Sequence, residues 1–355
     1  MGRAKRLLNV VSIGGGTGLA RLLKGLKHCV DSRWNRERKT TLWISRLTAV
    51  VTVTDDGGSS GRLRDELRVL PPGDIRNCLV ALSTDESLMS HLFQYRFKGT
   101  GDLGGHSFGN LFLTALTGVT GGDFLRAIRF SSEVLAILGR IYPATLQDVR
   151  LEAITDTGDH VRGESRISQT DGRIRGIALS PPNCRPVPAA LAAIRGADII
   201  TLGPGSLYTS LVTNLLVPGV VAAMRKSNAV RIYICNLMTQ PGETNGFRAS
   251  DHLDVIRKHA GDDLFDIVIL NRRPIVQRLK TRYLRQGAVR VETDRERIQE
   301  MGLALFEGDL LAGGKVVRHD PELLAAAVYD AYKRWTSVPS RRRERAGDPA
   351  ARSIR

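Results

Sequence analysis

Five continuous apolar runs restrict this chain most: Leu7–Ile13, Leu47–Val53, Ala197–Leu202, Val230–Cys235 and Phe265–Leu270, each ending in a turn rich in Gly, Asp or Asn. Strands that are apolar on both faces belong in a parallel sheet covered on both sides. Amphipathic stretches lie between and around them: Leu19–Cys29, Ser107–Leu116, Asp123–Leu138, Ala249–Ala260 and Pro274–Gln286. That alternation predicts an α/β fold with a doubly wound, mostly parallel sheet. The stretch 149–180 departs from the pattern. Its short alternating segments VRLEAIT, VRGESRIS and IRGIALS are separated by TDTGD and QTDG turns and predict a small antiparallel insertion. A last helix over Pro321–Trp335 has Asp320 as its N-cap and Pro321 in its first position.

With 355 residues, 42% of them hydrophobic, the chain can bury a large core. Residues 1–5 form a basic N-terminal tail, 6–336 one domain carrying the insertion, and 337–355 a basic tail expected to be disordered. No apolar run reaches the roughly 18–20 residues of a membrane span. The N-terminal MGRAKRLLNVVSIGGG resembles a signal peptide only in its charge, because its apolar run ends in glycines rather than at a cleavage site. Cys29, Cys78, Cys184 and Cys235 are scattered, which indicates neither a zinc site nor a disulfide framework, and a reducing cytoplasm is expected. The net charge of +16 invites a nucleic-acid reading. Much of it sits at edges, in SRWNRERK (32–39) and in PSRRRERAGDPAARSIR (339–355), read as a solvated loop and a solvated tail. Neither has the interleaved aromatics of a stacking platform.

The motifs share an address at strand ends and helix starts, where ligands of such sheets bind. Gly14-Gly15-Gly16-Thr17-Gly18 follows the first strand and opens a helix. Glycines let backbone approach a phosphate, and a helix N-terminus offers free N–H groups. The string is not a Walker loop, and Leu19 stands where a dinucleotide fingerprint needs its third glycine. Carboxylates follow in Thr54-Asp55-Asp56-Gly57-Gly58 and in Pro71-Pro72-Gly73-Asp74. Two such loops at one sheet edge can hold Mg²⁺. Equally, Asp74 can cap a helix starting at Ile75 while Asp55 and Asp56 shape a turn. Gly104–Asn110 precedes an apolar helix, and its His106 suits either proton transfer or a backbone bond at the helix start. Gly203-Pro204-Gly205-Ser206 follows a strand and opens a helix, a second candidate anion site. Cys235–Thr244 follows another strand.

In order, GGGTGLARLLKGLK, VVTVTDDGGSSGRLR, PPGDIRNCL, GGHSFGNLFL, GPGSLYTSLVTNLLVPG, CNLMTQPGET and VVRHDP resemble the YvcK branch of the YvcK/CofD-like family, from about Leu7 to Trp335. The resemblance implies a Rossmann-like three-layer α/β/α core. It also implies a cytoplasmic regulator of growth on gluconeogenic carbon, cell shape and cell-wall precursor balance, which binds UDP-sugars such as UDP-N-acetylglucosamine without an assigned reaction. On that basis Gly14, Gly15, Gly16, Thr17 and Gly18 are expected to meet phosphate. Gly203, Pro204, Gly205 and Ser206 meet phosphate or sugar, Asn236 and Thr239 read base or ribose, Arg318 bonds the diphosphate, and Asn110 joins the set. The sister branch, the 2-phospho-L-lactate transferases, places two metal-binding aspartates at Asp56 and Asp74. Those enzymes carry a PDLDT-type second segment where this chain reads PPGDIRN. A Mg²⁺-dependent phospho-group transferase is therefore the alternative. The expected partners are a nucleotide-sugar, a regulatory protein and a second copy of the chain, with no nucleic acid.

Overall fold

The computed structural model describes residues 6–38, 40–85, 88–170 and 172–337. Its strands are β1 (Leu8–Gly14), β2 (Ile44–Val51), β3 (Arg140–Pro143), β4 (Arg150–Thr155), β5 (His160–Arg162), β6 (Ile174–Ser180), β7 (Ile199–Leu202), β8 (Val230–Ile234), β9 (Ile267–Asn271) and β10 (Ala304–Gly308). Seven form one sheet in the order β10-β9-β8-β7-β1-β2-β3, and every neighbouring pair is parallel. The five predicted apolar runs are its five inner strands. Both faces are covered, as continuous apolar strands require: Leu8 and Val10 of β1 join the core under helices Gly16–Leu26, Gly73–Leu82 and Pro321–Ser337, while Val11 and Ile13 join the core on the opposite face. The architecture is the expected three-layer α/β/α.

The two edge strands escaped the sequence pattern. Strand β3 is four residues long, follows Gly139 and ends in Pro143, which reads as a breaker. At a sheet edge a proline does no harm, because its missing N–H would face away from the ladder. Strand β10, ALFEG, is mostly half-buried, so its apolar run is broken by Glu307 and Gly308. The 149–180 insertion forms the separate antiparallel sheet β5-β4-β6. Its middle segment is part strand and part helix, since Glu164–Ile167 follows β5 directly.

Helix Ala249–Ala260 lies where the pattern put it. Asp123 and Asp320 cap their helices, accepting from Arg126 N at 3.0 Å and from Glu322 N and Leu323 N at 3.0 Å each. The Pro274–Gln286 prediction shrinks to Gln277–Leu284, none of whose residues is buried. The basic stretch after Ser32 is a short helix rather than a loop: Ser32 caps Arg33–Glu37, and Arg36 makes two 2.7 Å bonds to Asp31. The predicted tails, 1–5 and 337–355, lie outside the described residues except for Ser337, the last residue of the final helix. Among the described residues no single helix is long and apolar enough to cross a membrane.

Candidate functional site

From β1 the chain builds outward through β2 to β3, then returns to place β7 against the other side of β1 and builds outward again to β10. The order of strands therefore reverses between β1 and β7. At such a switch point the loops leaving the two strands diverge and open a crevice beyond the sheet. Gly15–Gly18 leaves β1 and Pro204–Ser206 leaves β7, so the topology itself brings the two glycine turns together. They form one wall of a cleft of about 660 Å³, completed by Asn236–Pro241 after β8, by Tyr283 and Gln286, and by Val316–His319.

The glycines are used in two ways. A β-carbon on Gly15 would lie 2.6 Å from Asp74 Oδ2 and 2.7 Å from Thr52 Cγ2, so this position must be bare. Gly16 has φ +61 and opens the helix Gly16–Leu26, whose N-cap, Gly15, has no side chain to cap it. The Asp74 carboxylate takes the Gly16 N–H, and the rest of this first turn, Thr17 and Gly18, lines the cleft with its partial positive charge. Arg21, one turn into that helix, stands beside Arg318. Burial, then the charge of Arg318, pulls the Arg21 guanidinium below its usual pKa, with Asp320 opposing. Among the described residues no hydrogen bond or ion pair engages either guanidinium. His319 lies next to Arg318 on the cleft wall, 6% exposed, and its Nε2 has no partner. Burial holds this imidazole neutral, with its pKa pushed down to about 4.

Other lining groups hold the walls. Asn236 clamps Gly205 on both sides, accepting from its N–H at 3.1 Å and donating to its carbonyl at 2.7 Å. Thr239 accepts from Val289 N at 2.9 Å. Ser206 Oγ donates to Gln240 Oε1 at 2.7 Å. The helix after Ser206 does not offer an open anion site, contrary to the expectation from its position. Glu243, 4% exposed, already accepts there from Tyr208 N and Thr209 Oγ1 at 3.2 Å each. An internal carboxylate thus satisfies the helix end, and the turn faces the cleft through Gly205 and Ser206.

Behind Gly15 lies a group of carboxylates. Asp74 sits in the first turn of Gly73–Leu82 but makes no cap within it. Its pKa is raised to about 7 by burial and by Asp55, against the Gly16 N–H and Arg76. Asp55 Oδ2 would be 2.7 Å from a β-carbon on Gly73, while its Oδ1 accepts from Gly57 N at 2.9 Å. Glu164 of the insertion accepts from Thr54 Oγ1 at 3.3 Å, and burial followed by Asp74 and Asp55 pushes it well above the carboxylate range. Asp56, expected beside Asp74, instead turns to the insertion, where Oδ1 accepts from Ser165 N at 2.8 Å and Oδ2 closes on Gly163. The aspartate paired electrostatically with Asp74 is Asp55. The Asp-Asp pair is thus divided between two neighbours, Asp55 toward Asp74 and Asp56 toward Ser165.

A family model described as 2-phospho-L-lactate transferase CofD matches residues 10–311. The chain belongs to the CofD family. Within this family it is similar to the gluconeogenesis factor of Bacillus subtilis, 43% identical over 326 residues that cover 91% of this chain and 98% of that one. The gluconeogenesis factor of Halalkalibacterium halodurans is 43% identical over 330 residues, 93% of this chain and 98% of its own length. A crystal structure of a Bacillus halodurans protein matches with a TM-score of 0.85 and 42% identity, covering 91% of this chain and all of that one. The seven motifs therefore identify the CofD family and its gluconeogenesis-factor relatives correctly.

In this CofD-family fold the cleft gathers Gly15, Gly16, Thr17, Gly18, Pro204, Gly205, Ser206, Asn236, Thr239 and Arg318. Gly14 and Gly203 stand just behind it, at the end of β1 and beyond the end of β7. Asn110 lies elsewhere: its Nδ2 donates to Ser59 Oγ at 3.1 Å, and Ser59 Oγ meets His106 Nδ1 at 3.0 Å, in a buried cluster. Gln240 lay in the Cys235–Thr244 loop and His319 in the VVRHDP motif, both singled out from the sequence without a role for these side chains, while Arg21, Tyr283 and Gln286 were not anticipated. Arg21 was legible, since it follows Thr17 by four residues on one helix face. The others come from segments far apart in sequence, and only the packing joins them.

Proposed function

We propose that the switch-point cleft binds a nucleotide-sugar of the UDP-N-acetylglucosamine class and that the chain acts as a cytoplasmic regulator that senses it. The observation that carries this reading is the convergence of two bare glycine turns with Arg21 and Arg318, the second guanidinium near enough to lower the proton affinity of the first. A diphosphate relieves that repulsion and accepts bonds from the helix start. The remaining volume, walled by uncharged polar groups such as Gln240, Gln286 and His319, suits a nucleoside and a sugar. The gluconeogenesis-factor relatives support a role in gluconeogenic growth; we propose roles in cell morphogenesis and cell-wall precursor balance alongside it.

A second reading, a Mg²⁺-dependent transferase, rests on the carboxylates behind Gly15. Asp55 and Asp74 are oxygen donors whose crowding a cation would relieve, and Mg²⁺ commonly takes two carboxylates plus water and phosphate oxygens. Among the described residues no group of three or more His, Cys, Asp or Glu has a metal-holding arrangement. Bound there, Mg²⁺ would supply charge neutralisation at the phosphates.

Native mass spectrometry of freshly purified protein, with added UDP-N-acetylglucosamine as a second sample, tests the reading. The expected result is a one-to-one adduct, and phosphorus NMR shows the ligand intact after incubation with magnesium. Steady release of UDP or UMP would establish turnover and overturn the binding-only reading. No adduct in either sample would overturn the binding reading.

A further inference from the structure

The segment Asn271–Arg290, NRRPIVQRLKTRYLRQGAVR, holds seven cations and no carboxylate. Its helix, Gln277–Leu284, has no buried residue, so it is held to the body by one narrow side. Tyr283 and Gln286 meet the cleft already described. Arg278, Arg282 and Arg285, spaced i, i+4, i+7, share another stripe of the same helical path. That stripe forms one wall of a separate groove of about 610 Å³, and Lys315 enters from the Gly314–Lys315 turn opposite. The groove is braced: Arg282 donates to the Lys315 carbonyl at 3.0 Å, and Val317 N donates to Tyr283 Oη at 3.1 Å.

Four cations thus line one concavity. Among the described residues none of the four is in an ion pair. Exposed arginines nearby are paired, Arg272 with Asp309 at 2.9 Å and Arg295 with Glu307 at 2.8 Å. Gathering unpaired like charges in a groove raises its potential and favours a multivalent anion. We propose that this groove is a second anion site, which takes a compact ligand carrying two or more phosphate groups. Guanidinium forks match phosphate oxygens two at a time. The stripe from Arg278 to Arg285 rises about 10 Å along the helix, longer than a single phosphate needs. The lining has no aromatic side chain, and a single-stranded nucleic acid would lack a stacking platform. The assignment does not depend on what the cleft binds.

The test is calorimetric titration with inorganic tripolyphosphate at fixed ionic strength. R318Q, in which phosphate binding by the cleft is weakened, is compared with R278Q/R285Q/R318Q, and thermal melts confirm that each variant is folded. The proposal expects binding by R318Q, and at least tenfold weaker binding with a shallower salt dependence when Arg278 and Arg285 are also replaced. Absence of binding by R318Q, or equal affinity in the two proteins, overturns it. Polyuridylate or polyglutamate binding more tightly than tripolyphosphate, and losing that binding in R278Q/R285Q/R318Q, overturns the ligand class and assigns the groove to RNA or to an acidic protein.

Discussion

The backbone of Gly18 runs directly against the carbonyl of Pro204, so no β-carbon fits between the turn after β1 and the turn after β7. This contact sets the width of the crevice at the switch point. Gly18→Ala must push the two turns apart, and overpacking of this kind costs about 1–3 kcal/mol. Gly16→Ala makes only an ordinary 3.7 Å contact with Ser210 Oγ but holds φ +61, a strain of about 1–2 kcal/mol. Urea unfolding should show both variants destabilised, with Gly18→Ala also losing ligand affinity through the displaced turn. A Gly18→Ala variant as stable as wild type would mean that the turns move independently.

His319 predicts a particular pH dependence. Its folded pKa, about 4, lies below the ordinary 6.5, so the unfolded chain takes the proton first as pH falls. Where the unfolded state binds more protons, stability rises with pH. The contribution is therefore absent above pH 6.5, and stability is lost progressively between 6.5 and 4. The two values give a loss of about 2 kcal/mol at pH 5, since a tenfold change in proton affinity is worth about 1.4 kcal/mol. Denaturation from pH 8 to pH 5 should show a steeper decline for wild type than for His319→Gln. Parallel curves would show that the imidazole is not buried in solution.

The carboxylates separate by orientation. Asp74→Asn removes one of the two groups suited to Mg²⁺ and should abolish any magnesium-dependent gain in nucleotide-sugar affinity. Asp56→Asn should preserve that gain and instead weaken the attachment of the insertion at Ser165, a loss of about 1–2 kcal/mol. Ligand titrations with magnesium and with chelator, beside melts of both variants, distinguish the roles. Loss of the magnesium effect in Asp56→Asn alone would reverse the assignment.

Much of the fold was legible because inner parallel strands are apolar on both faces. The five runs gave the five central strands, while β3 and β10 were hidden by edge positions that tolerate Pro143 and Glu307. The glycine turns were legible for a related reason, since a bare loop between a strand and a helix has few other uses. Side-chain direction was not legible. Sequence adjacency could not say that Asp55 faces Asp74 while Asp56 faces Ser165, nor that Glu243 fills the helix end after Ser206. It also could not place Tyr283, Gln286 and His319 opposite Gly16, because those contacts exist only once β9, β10 and their loops have packed.

Nucleotide-sugar binding in the cleft requires that Arg21 and Arg318 hold a diphosphate against the glycine turns. Calorimetric titration of UDP-N-acetylglucosamine into wild type, Arg21→Gln and Arg318→Gln, at one salt concentration, tests that requirement. A charge-assisted bond is worth about 1.5–3 kcal/mol, so each variant should bind at least tenfold more weakly while melting near the wild-type temperature. Equal affinity in all three proteins, or no binding by wild type, would contradict it.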